Sequence, residues 1–132
     1  MQQVVNFDDQ FKEKIVEFER ECEKVCASLE KKYQGKFQDF DLQLLIEFTR
    51  TIKGKVAQSS EIYHDCYQSF IEVGIEKDEE FYPNAYIPIW RCKKDFFQKI
   101  GYFTNFDIEG IRCKIMLIIE EMLQEKADDS HS

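Results

Sequence analysis

One apolar stripe at helical spacing dominates the first quarter of the sequence. Large apolar side chains recur there every three or four positions, which places them on one face of a single long helix. Asn6 or Asp8 is predicted to cap the start of this helix, and Gly35 to end it soon after Tyr33. Such a face has to be buried against the rest of a folded domain. The stripe consists of Phe7, Phe11, Ile15, Phe18, Cys22, Val25 or Cys26, Leu29 and Tyr33.

Four further helices are predicted from apolar spacing between the scattered glycines and prolines. Asp39 or Asp41 is expected to cap the second helix, and Thr104 with Asp107 resembles a capping box at the start of the fifth. Residues 76–88 contain both prolines of the chain and are predicted to form a loop. The predicted bounds of these helices are Gln38–Lys53, Val56 or Ser59 to Val73, Pro88–Ile100, and Thr104 to about residue 125.

The predicted fold is therefore an all-α bundle of five helices, with four or six as alternatives. The chain has 5 Gly and 2 Pro, which leaves few places for the turns of an all-β fold. A hydrophobic content of 43% with 12 Phe is enough for a core in a chain of 132 residues. We expect one domain over residues 1–125 and a disordered C-terminal tail over residues 126–132.

Charge and cysteine usage restrict the classes of function. The formal net charge is −8, and both halves of the chain carry more acidic than basic side chains. This balance argues against binding to nucleic acid or to anionic lipid, which need clustered basic residues. No apolar run approaches the length of about 18 residues that spans a bilayer. The odd number of cysteines, 5, and the absence of a signal-peptide pattern at the N-terminus predict a cytoplasmic protein with reduced thiols.

No motif predicts catalysis, a metal or a cofactor. Cys22 and Cys26 are one helical turn apart, but a structural zinc site needs four ligands, and we interpret both as buried free thiols. A cysteine nucleophile at Cys66, Cys92 or Cys113 would need an oriented histidine, and His64 is the main candidate. The many carboxylates lie opposite the apolar stripes, and no glycine-rich phosphate loop is present.

The number of aromatic residues favours protein recognition. Twelve Phe, 6 Tyr and 1 Trp exceed what one core of this size commonly needs. The surplus is predicted to line a groove between the second helix and the last two helices, where an amphipathic helix of a partner inserts. The predicted groove residues are Phe40, Leu44, Phe48, Phe96, Ile100 and Phe103.

Three stretches of the sequence resemble the BART domain, the helical module of the binding protein for Arf-like GTPases and of a related ciliary protein. The first is the acidic pair Asp8–Asp9 with Phe11, Phe18 and Cys22 at family spacing. The second and third are Tyr33, Phe37, Asp39 and Phe40, and later Asp95, Phe96, Phe103 and Phe106. The resemblance covers about residues 4–106 and implies an all-α bundle, a ciliary location and binding of a GTP-bound Arf-like GTPase through its N-terminal helix.

The sequence thus predicts a non-catalytic module for binding a partner protein. The alternative from another class is a structural subunit whose surplus aromatic residues form an oligomer interface. A small enzyme or metal protein is a third interpretation.

Overall fold

The computed structural model describes residues 1–131, with side chains described for residues 1–129. It contains one six-stranded antiparallel sheet and two helices, so the fold is α+β and the predicted all-α bundle of five helices is wrong. The strand order is β1-β6-β5-β4-β2-β3. The elements in chain order are β1 (Gln2–Val4), α1 (Asp9–Gln38), β2 (Gln43–Ile52), β3 (Lys55–Val56), a 3₁₀ turn (Ser59–Glu61), β4 (Tyr67–Lys77), β5 (Glu80–Lys94), β6 (Lys99–Phe103) and α2 (Ile108–His131).

The long N-terminal helix forms as its stripe predicts. Asp8 caps it, because its Oδ1 accepts a hydrogen bond of 2.8 Å from the Phe11 N–H. The helix does not stop at Gly35 but continues to Gln38, since Phe37 extends the apolar stripe and is completely buried. Burial of Phe37 outweighs the modest cost of an exposed glycine inside the helix.

The second predicted helix is strand β2. Leu44, Ile46 and Phe48 alternate with Leu45 and Glu47, and the first set faces the helices. Apolar residues occur at both odd and even positions of this segment. In a strand this places them on both faces of the sheet, because successive side chains point to opposite faces. Pairing of all ten residues of β2 with β4 overrides the helical interpretation.

The third and fourth predicted helices, and the loop between them, are also mostly strands. Residues 67–103 form the antiparallel strands β4, β5 and β6. The predicted loop at 76–88 contains a tight hairpin, in which Lys77 pairs with Glu80. Asp78 and Glu79 form its turn with positive φ angles of 55° and 66°.

The last predicted helix is present as α2, although it begins at Ile108. Asp107 caps it in place of Thr104, since its Oδ1 accepts a hydrogen bond of 2.7 Å from the Gly110 N–H. Residues 126–131, for which a tail is predicted, continue this helix. Ser132 lies outside the described residues. Neither α1 nor α2, as described, combines the length and the apolar character needed to cross a membrane.

Both helices and the sheet contribute side chains to one core, which includes Trp90 of β5. The indole of Trp90 is completely buried and donates a hydrogen bond of 2.6 Å to the Ile62 carbonyl. The rings of Phe11 and Phe103 meet it edge-on at centroid distances of 5.6 and 6.1 Å. Gly101 lies directly against this indole, because a Cβ atom there would be 2.1 Å from the ring.

Candidate functional site

The structure does not assemble the six predicted groove residues into one surface. The helices between which they were placed are largely strands, so the predicted groove between helices is absent from the described part of the chain. Strands β4 and β5 lie between the β2 residues and the β6 residues of the set. Leu44 and Phe48 are on β2, Ile100 and Phe103 are buried residues of β6, Phe40 follows α1, and Phe96 lies in the β5–β6 hairpin.

One end of the sheet gathers basic side chains that are far apart in sequence. The β2–β3 hairpin turns at this end, and so does the β5–β6 hairpin, because Gln68 near the start of β4 pairs with both Thr51 and Arg91. We call this region the basic end. Its basic residues are Lys53, Lys55, Arg91, Lys93, Lys94 and Lys99, against the acidic residues Asp65 and Asp95.

An open groove of about 740 Å³ lies between the two hairpins of the basic end. Lys53, Arg91, Lys93 and Lys94 contribute to its walls, and Asp65 is the one acidic residue in its lining. Within the described side chains, Lys53, Lys93 and Lys94 form no ion pair. The groove therefore presents uncompensated positive charge on a chain whose net charge is −8.

Two other cations of this region, Lys99 and Arg91, have protein partners. Lys99 lies 3.8 Å from the Asp65 carboxylate, and its Nζ donates a hydrogen bond to the Tyr63 carbonyl. The Arg91 guanidinium lies over the ring of Tyr102 at 5.0 Å from its centroid. These contacts hold Lys99 and Arg91 against the protein, whereas Lys53, Lys93 and Lys94 are exposed.

Two adjacent phenylalanines form the tip of the β5–β6 hairpin. Phe96 and Phe97 are 94% and 99% exposed, and their ring centroids are 6.4 Å apart. The turn that carries them is hydrogen-bonded, since the Asp95 N–H donates to the Gln98 carbonyl and the Asp95 carboxylate accepts from the Phe96 N–H. We call this pair the Phe96–Phe97 tip. Two adjacent large apolar side chains that are exposed to water do not contribute to the core. They indicate a surface that binds another molecule.

The histidine and cysteine of the groove do not form a catalytic pair. His64 Nδ1 lies 2.7 Å from the Asp65 carbonyl oxygen, and no hydrogen bond joins the His64 ring to Cys66. Cys66 is exposed and has a φ angle of 70°, a left-handed conformation that is uncommon for a residue other than glycine. The arrangement lacks the oriented base that a cysteine nucleophile needs.

The remaining cysteines are divided between the core and the surface. Cys22, Cys26 and Cys92 are buried free thiols, whereas Cys113 is exposed. Burial raises the pKa of Cys26 and of Cys92 to about 12, which keeps both thiols protonated and unreactive. Among the described residues, no group of three or more His, Cys, Asp or Glu side chains has a metal-binding arrangement.

A buried carboxylate, Glu19, lies inside the core and has a perturbed pKa. Its side chain is completely buried on α1, and the Tyr67 hydroxyl donates to both of its oxygens at 3.0 and 2.8 Å. The Arg50 Nε donates to the same carboxylate at 3.0 Å. Burial raises the pKa of Glu19, while the bonds from Tyr67 and Arg50 oppose the shift. This cluster joins α1 to the sheet, and its central carboxylate is completely buried.

Sequence reasoning missed the basic end because neither of the two segments that form it is strongly basic compared with the rest of the chain. Lys53 and Lys55 lie in one segment and Arg91 to Lys99 in another, and only the antiparallel strand order brings them together. A local signal was available in residues 93–99, where two phenylalanines are flanked by lysines between two apolar runs. Two apolar runs separated by a few residues favour a β-hairpin, whose tip would carry the two phenylalanines.

Comparisons of this chain with protein-family models, with curated proteins and with solved structures found no match. The observed α+β fold also differs from the all-α bundle that the resemblance to the BART domain implies.

Proposed function

We propose that the protein is a non-catalytic module that binds a partner protein through the basic end of its sheet, with the Phe96–Phe97 tip as the anchor. The exposure of these two side chains, 94% and 99%, is the observation that carries the proposal. A folded domain gains nothing from holding such a pair in water. A partner that buries both rings gains about 1.5–3 kcal/mol for each, before the costs of association.

The chemistry of the partner follows from the surroundings of the tip. Lys93, Lys94 and Lys53 lie in the adjacent groove without acidic partners among the described side chains. The matching surface is an apolar pocket with an acidic rim. Complementary charge of this kind orients the partner and raises the association rate more than it raises affinity.

A protein partner suits the distribution of charge better than a nucleic acid does. The opposite end of the sheet carries Asp41, Glu76, Asp78, Glu79 and Glu80. A long polyanion that extends beyond the basic end would meet this acidic surface, whereas a compact acidic site on a protein would not.

The test is selection of binding peptides from a display library on the wild-type protein, followed by titration of the selected peptides against variants. The double substitution Phe96→Ser with Phe97→Ser is expected to weaken binding by about tenfold or more. The matched control is Leu117→Ser, which removes an apolar side chain that is 57% exposed on α2. The proposal fails if no selected peptide binds the double variant more weakly than it binds the wild type.

An Arf-like GTPase is the partner that the family resemblance implies, and it is tested with the same variants. Titration with the GTP-loaded and the GDP-loaded forms would show whether binding depends on the nucleotide and on the Phe96–Phe97 tip. The cytoplasmic location, and the ciliary one that the resemblance implies, stay predictions.

A structural subunit is the second candidate function, and the exposed aromatic surface also favours it. Self-association would make the mass of the protein in solution depend on concentration. A monomer whose tip variants lose peptide binding supports the partner-binding module. An oligomer that the tip substitutions dissociate supports the structural subunit.

A further inference from the structure

Strand β2 has a free outer edge over most of its length. On its inner side it pairs with β4 from Gln43 to Ile52, but on its outer side β3 pairs only with Thr51 and Ile52. The Ala57 N–H extends the outer pairing by one bond to the Arg50 carbonyl. Because backbone groups alternate in direction along a strand, those of Leu44, Ile46 and Phe48 also point outward.

Side chains of α1 occupy part of this edge. The Gln34 amide accepts a hydrogen bond of 2.7 Å from the Leu44 N–H and donates one of 3.0 Å to the Leu44 carbonyl. Glu30 accepts a hydrogen bond of 2.8 Å from the Ile46 N–H. Among the described residues, the outward Phe48 N–H has no acceptor and the outward Phe48 carbonyl has no donor.

A groove runs along the unpaired part of the edge, between β2 and α1. Its volume is about 340 Å³, and Ile46, Glu47 and Phe48 form its floor on the β2 side. Glu23, Ala27 and Glu30 come from α1 at the spacing of one helix face. Ala27, with its small side chain, lines the same groove as Phe48.

The charge of this groove is negative. Glu23 is paired with Arg50, whereas Glu30 and Glu47 have no cationic partner among the described side chains. A second copy of β2 added to this edge would bring further glutamates against these two. An incoming segment that carries Lys or Arg would neutralise them.

We propose that this edge of β2 binds an extended basic segment of a partner protein as an added strand, centred on Phe48. The Phe48 N–H and carbonyl supply hydrogen bonds to the segment, and Glu30 and Glu47 select positively charged side chains. The Gln34 amide makes the two hydrogen bonds with Leu44 that a neighbouring strand would make. The bound segment therefore either ends before Leu44 or displaces the Gln34 side chain. This surface lies beyond β4 and β5 from the Phe96–Phe97 tip, and its test is independent of the function proposed above.

The experiment is an NMR titration of the full chain with a synthetic peptide in which lysine and valine alternate. The expected result is a shift of the Phe48 amide signal and slower hydrogen exchange at that amide. The matched probe is the peptide in which glutamate and valine alternate, and it is expected to have no effect. An unchanged Phe48 amide, or an equal response to both peptides, overturns the proposal.

Two substitutions of Phe48 distinguish the contribution of its backbone N–H to peptide binding from that of its ring. Phe48→Pro removes the outward N–H, while Phe48→Ala keeps it, and both remove the ring. Binding of the lysine peptide is expected to be about tenfold weaker for the proline variant than for the alanine variant. Equal binding by the two overturns the proposal.

A third variant does not depend on a proline in the strand. Gln34→Ala frees the Leu44 backbone and is expected to tighten binding of the lysine peptide. Weaker binding by this variant, or protection of the Phe48 amide that depends on protein concentration without any peptide, overturns the proposal in favour of a structural cap or of self-pairing.

Discussion

The Gln34 side chain bonds both backbone groups of Leu44, accepting from the N–H at 2.7 Å and donating to the carbonyl at 3.0 Å. One primary amide thus satisfies the two outward groups of a buried residue in a strand that has no neighbour there. An open strand edge is a site for unwanted pairing, and a side chain that covers it limits this risk. The helix therefore determines how much of the β2 edge is accessible.

Loss of this cap is expected to destabilise the fold. Gln34→Leu leaves the Leu44 N–H and carbonyl without partners, so the free energy of unfolding should fall by about 1–3 kcal/mol. Urea denaturation followed by Trp90 fluorescence measures the change. Lys31→Ala, at an exposed position of the same helix, should change it by less than about 0.5 kcal/mol. Equal effects of the two substitutions would show that the cap has no energetic role.

Two glycine substitutions should have opposite signs. Gly101→Ala places a Cβ atom 2.1 Å from the Trp90 ring, and the overpacking should lower the free energy of unfolding by about 1–3 kcal/mol. Gly35→Ala, in the exposed part of α1 with nothing within 4 Å, should raise it by about 0.5–1 kcal/mol. The measurement is again equilibrium urea denaturation. A neutral Gly101→Ala would mean that the backbone of β6 is not held against Trp90.

The buried carboxyl of Glu19 should give the stability a specific pH dependence. Its pKa is raised above the ordinary value of 4.5 because the group is buried. As the pH rises above 4.5, the folded protein holds more protons at Glu19 than the unfolded chain, so the contribution of Glu19 to stability falls until the pH passes the folded pKa. Relative to Glu19→Gln, which does not titrate, the wild type should therefore lose stability over this range.

The control for this profile is Glu17→Gln, two residues away on the solvent-exposed face of α1. Free energies of unfolding for the three proteins, measured at a series of pH values, isolate the titration of Glu19. If the wild type gains stability over Glu19→Gln as the pH rises, the carboxyl is not raised in pKa and the account of the cluster is wrong.

Thiol modification should separate the five cysteines into two groups. Cys66 and Cys113 are exposed, while burial raises the pKa of Cys26 and Cys92 to about 12 and also raises that of Cys22. Iodoacetamide at about pH 8 should alkylate the first two in the native protein and all five after denaturation. Peptide mass spectrometry gives the sites. Rapid native labelling of Cys22 or Cys92 would show that the core opens more readily than the packing implies.

The sequence was sufficient for the two helices but not for the sheet. The stripe from Phe7 to Tyr33 predicts α1 because every residue of it meets the core at a period that only a helix has. In β2, Leu44 and Phe48 are spaced both as helix neighbours and as alternate strand residues. Pairing with β4, which is 23 residues or more away for most of β2, decides between these two patterns.

The turns of the sheet are the second reason for the error. Asp78 and Glu79 both adopt positive φ angles, although the residues that normally signal such a turn are Asn and Gly. Gly74 and Gly101 resemble helix stops in the sequence. In the structure they lie within strands, where Phe81 and Trp90 approach too closely for any side chain. Steric contact with a distant residue leaves no local pattern in the sequence.

The position of the candidate site also depends on long-range strand pairing, which local sequence patterns do not predict. Phe96 was predicted to contribute to a partner-binding groove, and its place at an exposed hairpin tip beside Phe97 depends on the strand pairing of Lys94 with Lys99. The basic end depends on the strand order, since Lys53 and Lys93 are brought to one groove by two separate hairpins. Neither feature can be inferred from the average charge of the chain.

The most direct test of the central claim is the affinity of display-selected peptides for the wild type and for the variant that carries Phe96→Ser and Phe97→Ser. The account predicts peptides that combine apolar residues with Asp or Glu, and a loss of affinity of about tenfold or more in the double variant with an unchanged unfolding midpoint. If every selected peptide binds the double variant as tightly as the wild type, the assignment of the Phe96–Phe97 tip as the binding anchor is contradicted.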